Sequence, residues 1–386
     1  MRYHSATTVN PDPYRAGMQI GDDLRELRPE VILIFASITY DPDFSEFFTG
    51  LQDALEGQTP LIVGGTGDGI YGTGLAADYG VSALGLQSDG AVEWSAACCT
   101  GVGADSLATS RAAARAAARE LDGDPDFCFV LADGARADGT AVVEGLFGAL
   151  GIPVFGGLSG DDRQFTRSRI FHQGRECEDA VVVLLGRGPL PFLLNAGSGW
   201  TPRGESGVVE EAEARTLRRI SGQSTAEFMT RQVGKTVGQS DIGVMPLAFF
   251  SAEQAGHFFL RSASHLNEEE GSTIMFGSLP PGARVQVCAA TREEVLAGVR
   301  ETVEGLLPLP PGFEVGAAVL ISCAGRKWFL EDKGALELEV FQAALGRSVP
   351  LVGIPSFGEI GPFREGGAYT PPCFHNVTFV VCLLGR

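Results

Sequence analysis

Short apolar runs alternate with amphipathic stretches along this chain, and glycine turns punctuate them. Residues 31–36 are apolar without a break, which predicts a strand covered on both faces. The same holds for residues 127–132, 180–185, 317–323 and the last strand before the C-terminus. Between these runs lie helical patterns at 44–55, 105–121, 138–150 and 291–306, with a further helix carrying Leu336, Val340 and Ala344 on one face. Asp105 and Asp138 are placed as N-caps, and Ser224 with Glu227 and Thr291 with Glu294 read as capping boxes. Residues 81–86 and 91–99 read as a hairpin across the Asp89-Gly90 turn, residues 169–172 and 180–185 as an antiparallel pair, and residues 1–20 as an arm or early strand. Residues 192–199, 245–250, 258–261, 272–277 and 283–289 are further predicted strands.

The order of these elements recurs. Helix 138–150 leads through Pro153 to a short strand, then Gly156-Gly157-Leu158-Ser159-Gly160-Asp161, a loop, and a strand ending Leu184-Leu185-Gly186-Arg187. The helix before Gly346 leads through Pro350 to Leu351-Val352, then the turn 353–361 with Glu359, a loop, and a strand ending Leu383-Leu384-Gly385-Arg386. A partial third copy runs through Pro60 to Gly64-Gly65-Thr66-Gly67-Asp68. Matching residues 91–187 with 283–386 predicts an internal duplication. The fold expected is α/β: mixed β-sheets flanked by helices in two related halves, packed about a pseudo-twofold with a cleft between them. The boundary is set near Trp200-Thr201-Pro202, giving domains 1–200 and 201–386.

Length and charge narrow the function classes. At 386 residues the chain is long enough for two cores. A net charge of −19 argues against nucleic acid and anionic membranes as partners. The start of the chain carries no apolar leader and no run approaches a bilayer span, so the expected location is cytoplasmic. The eight cysteines lack Cys-x-x-Cys spacing and read as reduced, mostly buried residues.

Ser322-Cys323-Ala324-Gly325-Arg326, Pro350-Leu351-Val352-Gly353, Phe357-Gly358-Glu359-Ile360-Gly361-Pro362 and Phe374-His375-Asn376-Val377-Thr378 together resemble the FIST family, a FIST N domain followed by a FIST C domain. Gly156–Asp161, Met245-Pro246-Leu247 and Arg261 are similar too, and the resemblance covers residue 25 to the end. Two departures are Ser221-Gly222 and Ile354-Pro355-Ser356. The resemblance implies a bacterial sensory module without catalysis that binds a small molecule, with an amino acid as the candidate ligand. Because the two domains use up the chain, it also implies a separate signalling partner.

The candidate ligand-binding residues are Ser159, Asp161, Arg261, Arg326, Glu359, His375, Asn376, Thr66 and Asp68. Acids beside free backbone N–H groups suit an ammonium and a carboxylate, and arginine offers a bidentate fork. The competing reading for each acid is that it caps its own loop, and for each arginine a structural ion pair. No metal and no cofactor are expected. The alternative is a haem-binding gas sensor with His172 or His375 as axial ligand. A weaker alternative is a hydrolase using Ser159 or a thiol enzyme using Cys323.

Overall fold

A computed structural model of the chain describes residues 1–250, 257–331 and 334–386. One unit, β-α-β-α-β-hairpin-β, occurs three times in it. The first comprises β1 (Arg2–Thr8), α1 (Pro13–Leu24), β2 (Val31–Ser37), α2 (Phe44–Ala54), β3 (Leu61–Gly67), the hairpin β4 (Ile70–Gly72) and β5 (Leu75–Ala77), and β6 (Val81–Gln87). The second comprises β7 (Glu93–Thr100), α3 (Ser106–Ala118), β8 (Phe127–Ala132), α4 (Gly139–Leu150), β9 (Phe155–Leu158), the hairpin β10 (Ile170–His172) and β11 (Arg175–Cys177), and β12 (Ala180–Arg187).

The third unit opens with β13 (Phe192–Gly197) and is then interrupted by an inserted β region. That region holds β14 (Thr201–Pro202), β15 (Gly207–Glu213), β16 (Thr216–Ile220), β17 (Gln223–Ser224), α5 (Thr225–Val233), β18 (Leu247–Phe250), β19 (Phe259–Arg261), β20 (Ala263–Asn267), β21 (Ser272–Met275) and β22 (Arg284–Ala289). The unit resumes with α6 (Arg292–Glu304), β23 (Val315–Cys323), α7 (Ala324–Leu330), α8 (Ala335–Leu345) and β24 (Leu351–Ser356). It ends with β25 (Gly358–Gly361), the small pair β26 (Arg364–Glu365) and β27 (Ala368–Tyr369), β28 (Cys373–His375) and β29 (Phe379–Gly385).

Each unit builds a mixed sheet in the same order: its first strand at the edge, then its last, second and third strands. The hairpin of another unit completes each sheet. The orders are β1-β6-β2-β3-β10-β11, β7-β12-β8-β9-β25-β28 and β13-β29-β23-β24-β4-β5. The first sheet therefore takes its hairpin from the second unit, the second from the third, and the third from the first. This cyclic exchange replaces the expected pseudo-twofold. The unit that the sequence displays twice, with a fragment of a third, is complete three times. The counterpart of β7 at the start of the third unit is β13, not β22, which belongs to the insertion.

Apolar strands explain the layering. Inner faces of the three sheets share one core, including Phe35, Phe129, Phe155, Ile321, Ile354 and Val380. On the outer faces, α1 and α2 cover the first sheet, α3 and α4 the second, and α6 and α8 the third. Strands buried on both faces read as unbroken apolar runs for this reason. The insertion has a core of its own around Phe228, Met229 and Val285.

Both predicted aspartate caps and both capping boxes are present. The predicted hairpin across Asp89-Gly90 and the predicted antiparallel pair of 169–172 with 180–185 are not. Asp89 and Gly90 do turn with positive φ, but they link units: β6 pairs with β1 and β2, and β7 pairs with β12. Likewise β10 pairs with β11 and β3, not with β12. Sequence neighbours were outbid by more distant strands that offer a buried face. No helix among the described residues is long and apolar enough to cross a membrane.

Glycine is required at one equivalent place in each third strand. A Cβ on Gly64 would lie 1.8 Å from the carbonyl oxygen of Ile34, on Gly156 1.8 Å from that of Val130, and on Gly353 2.3 Å from that of Leu320. By contrast, Gly151, the C-cap of α4, has positive φ but open space around it. Gly156→Ala is expected to cost about 3–5 kcal/mol in urea unfolding, the upper end for a point change. Gly151→Ala should cost only about 1–2 kcal/mol, the strain of its backbone alone. Equal losses at the two positions would refute the steric account.

Candidate functional site

The three glycine turns meet at the carboxyl ends of the paired parallel strands, where open α/β sheets place their ligands. Backbone hydrogen bonds close them into a ring. Gly160 N–H donates to Thr66 O (2.8 Å), Asp68 N–H to Pro355 O (2.9 Å) and Phe357 N–H to Leu158 O (3.0 Å). Donor and acceptor are two residues apart in every turn, so Asp68, Gly160 and Phe357 are equivalent positions. The three acids are therefore not equivalent. Asp68 sits at the donor position, Asp161 one residue beyond it and Glu359 two residues beyond.

The ring is buried, and its polar side chains are bonded inward. Thr66 Oγ1 donates to Gly160 O and accepts from Arg169 N–H. Ser159 Oγ is bonded to Ser168 Oγ at 2.8 Å and faces Ala132 O and Gly134 N–H. Asp161 accepts the N–H groups of Phe165, Thr166 and Arg167 at 2.7–2.8 Å, a carboxylate organising its own loop. Asp68 accepts Asp162 N–H at 2.9 Å. Burial and the neighbouring Asp162 raise its carboxyl to about 7, against the opposing ammonium of Lys327.

Glu359 is fully buried and accepts from Ser356 Oγ (2.9 Å) and Thr378 N–H (3.0 Å). Loss of solvent dominates these bonds and pushes its carboxyl up to about 8. Cys323 lies beside it, and burial drives that thiol far from thiolate character. Arg326 is enclosed, paired with Glu337 at 2.7 Å and donating to the carbonyls of Ser198, Val377 and Val295. A cation so fully paired locks α7 to α8 and to β13. Asn376 ties β19 to the third turn, accepting Ser262 N–H and donating to Phe357 O. Arg261 donates to Phe374 O and lies over the Phe374 ring, while its Nε has no partner among the described residues. Burial lowers it to about 10.

His375 differs from the other eight because it lines a cavity. Its Nε2 faces Gly361 O at 3.0 Å, an atom that can only accept, so Nε2 carries the proton and Nδ1 is the ring's acceptor. Burial pushes its pKa down to about 3, which keeps it neutral at physiological pH. The cavity measures about 270 Å³ and lies between the start of the insertion, β19, β28 and α6. Trp200, Phe258 and Phe363 supply apolar wall; Glu301, His257 and Thr378 join His375 as its polar groups. Trp200, Glu301 and Thr378 were missed in the sequence. Trp200 sits in what reads as a linker, and Glu301 on what reads as an ordinary polar helix face. Thr378 alone carried a signal, standing two residues after Asn376.

The residues of the alternative readings stand apart. Among the described residues Ser159 and His375 share no hydrogen bond. His172 lies on β10 in the first sheet, whereas His375 lies on β28 in the second.

The two raised carboxyls have a consequence for stability. Folded Glu359 and Asp68 keep protons that the unfolded chain releases near pH 4, so stability falls as pH rises from about 4.5 to about 8. Glu359→Gln should flatten that decline, gaining about 1–3 kcal/mol relative to wild type between pH 4 and pH 9. Urea midpoints across this range check it, and parallel curves for the two proteins would overturn it.

No curated protein matches the chain. Among solved structures it is similar to cyanuric acid hydrolase from A. caulinodans, with a TM-score of 0.38, 11% identity, and 100% of this chain and 98% of that chain covered. PurLQS from Thermotoga maritima gives 0.22, 13%, 99% and 72%, and T. maritima PurL complexed with ADP gives 0.21, 12%, 100% and 71%. Likenesses this distant carry no argument about activity. Family models match in succession across most of the sequence, the first over residues 30–223 and the second over residues 216–362. The chain belongs to the FIST family, with a FIST N domain followed by a FIST C domain.

Proposed function

We propose that this protein is a cytoplasmic sensor that binds a small ligand of amino-acid size in the 270 Å³ cavity beside His375 and signals through a separate partner protein. FIST domains are sensory modules, and the sensory assignment rests on the family. The observation that carries the site is the cavity itself. Its volume falls just below the range of drug-sized pockets, and it combines aromatic wall with a few converging polar groups.

The chemistry suits a ligand with an ammonium group. Glu301 offers a carboxylate and His375 a neutral acceptor nitrogen, while Trp200 and Phe363 offer apolar surface to a side chain. Three of the other predicted residues serve the cavity indirectly. Arg326 holds Ser198 O at its edge, Asn376 holds β19 against the third turn, and Glu359 holds Thr378 N–H. Charge at Glu359 is thus a matter of stability, and its conversion to glutamine should leave ligand affinity unchanged.

Thermal-shift screening of the purified chain against the common amino acids should give a Tm increase with a subset of them. Calorimetry with the best of these should then show about a tenfold loss of affinity for Glu301→Gln and for His375→Gln, one lost hydrogen bond each. No shift with any amino acid, or unchanged affinity in both variants, would remove the amino-acid reading of this cavity. An absorbance scan of protein produced with excess haem tests the other ligand class. A Soret band lost in His375→Gln would replace the present reading with a haem site.

A further inference from the structure

Two cysteines face each other where the first and second sheets meet. Along β7 the side chains alternate, so Cys98 turns to the central core and Cys99 to the helix-covered outer face. Cys177 lies on β11 and packs against the same central core as Cys98. The strands β7 and β11 are the edge strands of different sheets, and the two thiols lie close enough to interact across the seam. Both are partly exposed, whereas Cys128, Cys288, Cys323 and Cys382 are buried. His172 stands on the same face of the hairpin β10–β11, bonded to the backbone of Ala96 and with its Nε2 unpartnered among the described residues.

We infer that Cys98 and Cys177 form a reversible disulfide driven by a hydroperoxide, giving this sensor a redox input separate from its ligand cavity. Contact with the Cys98 thiol, aided by Arg175, lowers the Cys177 thiol against burial and the nearby Glu176, which favours Cys177 over Cys98 as the nucleophile. Its sulfur attacks one oxygen of the hydroperoxide, the O–O bond breaks, and the other oxygen leaves as water or alcohol. Cys177 is then a sulfenic acid. The Cys98 sulfur attacks that sulfur, the S–O bond breaks, and the hydroxyl leaves as water with the Cys98 proton. Two thiols lose two electrons and the peroxide gains them. A thiol reductant reverses the change.

The bond would couple to the ring of turns. Cys177 is paired with Ile170, and Ile170 with Gly65; one residue earlier, Arg169 N–H binds Thr66 Oγ1. Fixing β11 to β7 therefore fixes the hairpin that braces the first glycine turn.

The test is exposure of the full chain to hydrogen peroxide in stoichiometric excess, followed by alkylation under denaturing conditions and peptide mass spectrometry without reduction. The expected result is a Cys98–Cys177 cross-linked peptide, with alkylatable thiols reduced by two and restored by dithiothreitol. Cys99→Ser should keep the cross-link. Cys98→Ser and Cys177→Ser should each abolish it while retaining the wild-type circular dichroism spectrum. An unchanged thiol count, a Cys98–Cys99 bond, a disulfide between two chains or terminal oxidation of Cys177 without a cross-link would each overturn the inference. The wild-type peptide map decides the matter even if a variant fails to fold.

Discussion

The architecture hangs on a contact between backbones. In each unit the third strand crosses so close to the second that a Cβ would strike a carbonyl oxygen, and only glycine at positions 64, 156 and 353 permits it. That approach brings the three following turns to one point, where three N–H groups satisfy three carbonyls in a closed cycle. Buried backbone groups must be paired, and here each turn is paired by another unit of the chain. No unit completes its own sheet either, since each lends its hairpin to a neighbour. The units are therefore mutually dependent, and long-range pairing holds the whole together.

Burying this junction has an electrostatic cost, seen in the raised carboxyls of Asp68 and Glu359 and the depressed His375. A charge survives there only where it is fully paired, as the Arg326 guanidinium is with Glu337 and three carbonyls. The molecule instead keeps these groups hydrogen-bonded and leaves open space next door, where the insertion leans on the third unit. The 270 Å³ cavity exists because an inserted β region with its own core interrupts that unit after β13 and must pack back against it. The first two units have no such insertion. This asymmetry separates one seam from three otherwise alike.

A second seam, between the edges of the first two sheets, carries thiols instead of a cavity. The cavity and the thiol pair both border the hairpins that the units exchange. Strand pairings connect each of them to the ring of turns. Each exchanged hairpin is thus built into the sheet of another unit, so the two sites and the ring share one continuous set of strand pairings.

Local patterns settled much of this in advance. Apolar runs such as 31–36 and 127–132 could only be strands buried on both faces, and Asp105, Asp138, Ser224 and Thr291 marked helix starts through bonds made within three residues. The repeated glycine turns marked where strands end together, and the C-terminal motifs identified the family. Partner choice was not legible. The Asp89-Gly90 turn is genuine, yet β6 and β7 part to different sheets, because burial of a whole strand face outweighs the proximity that favours a hairpin. Nor could the sequence say that Asp161 and Arg326 are consumed by internal bonds while His375 lines open space. An acid after a glycine turn looks the same whether it faces a ligand or three N–H groups of its own loop. That distinction depends on atoms brought together from distant parts of the chain, and only the tertiary packing decides it.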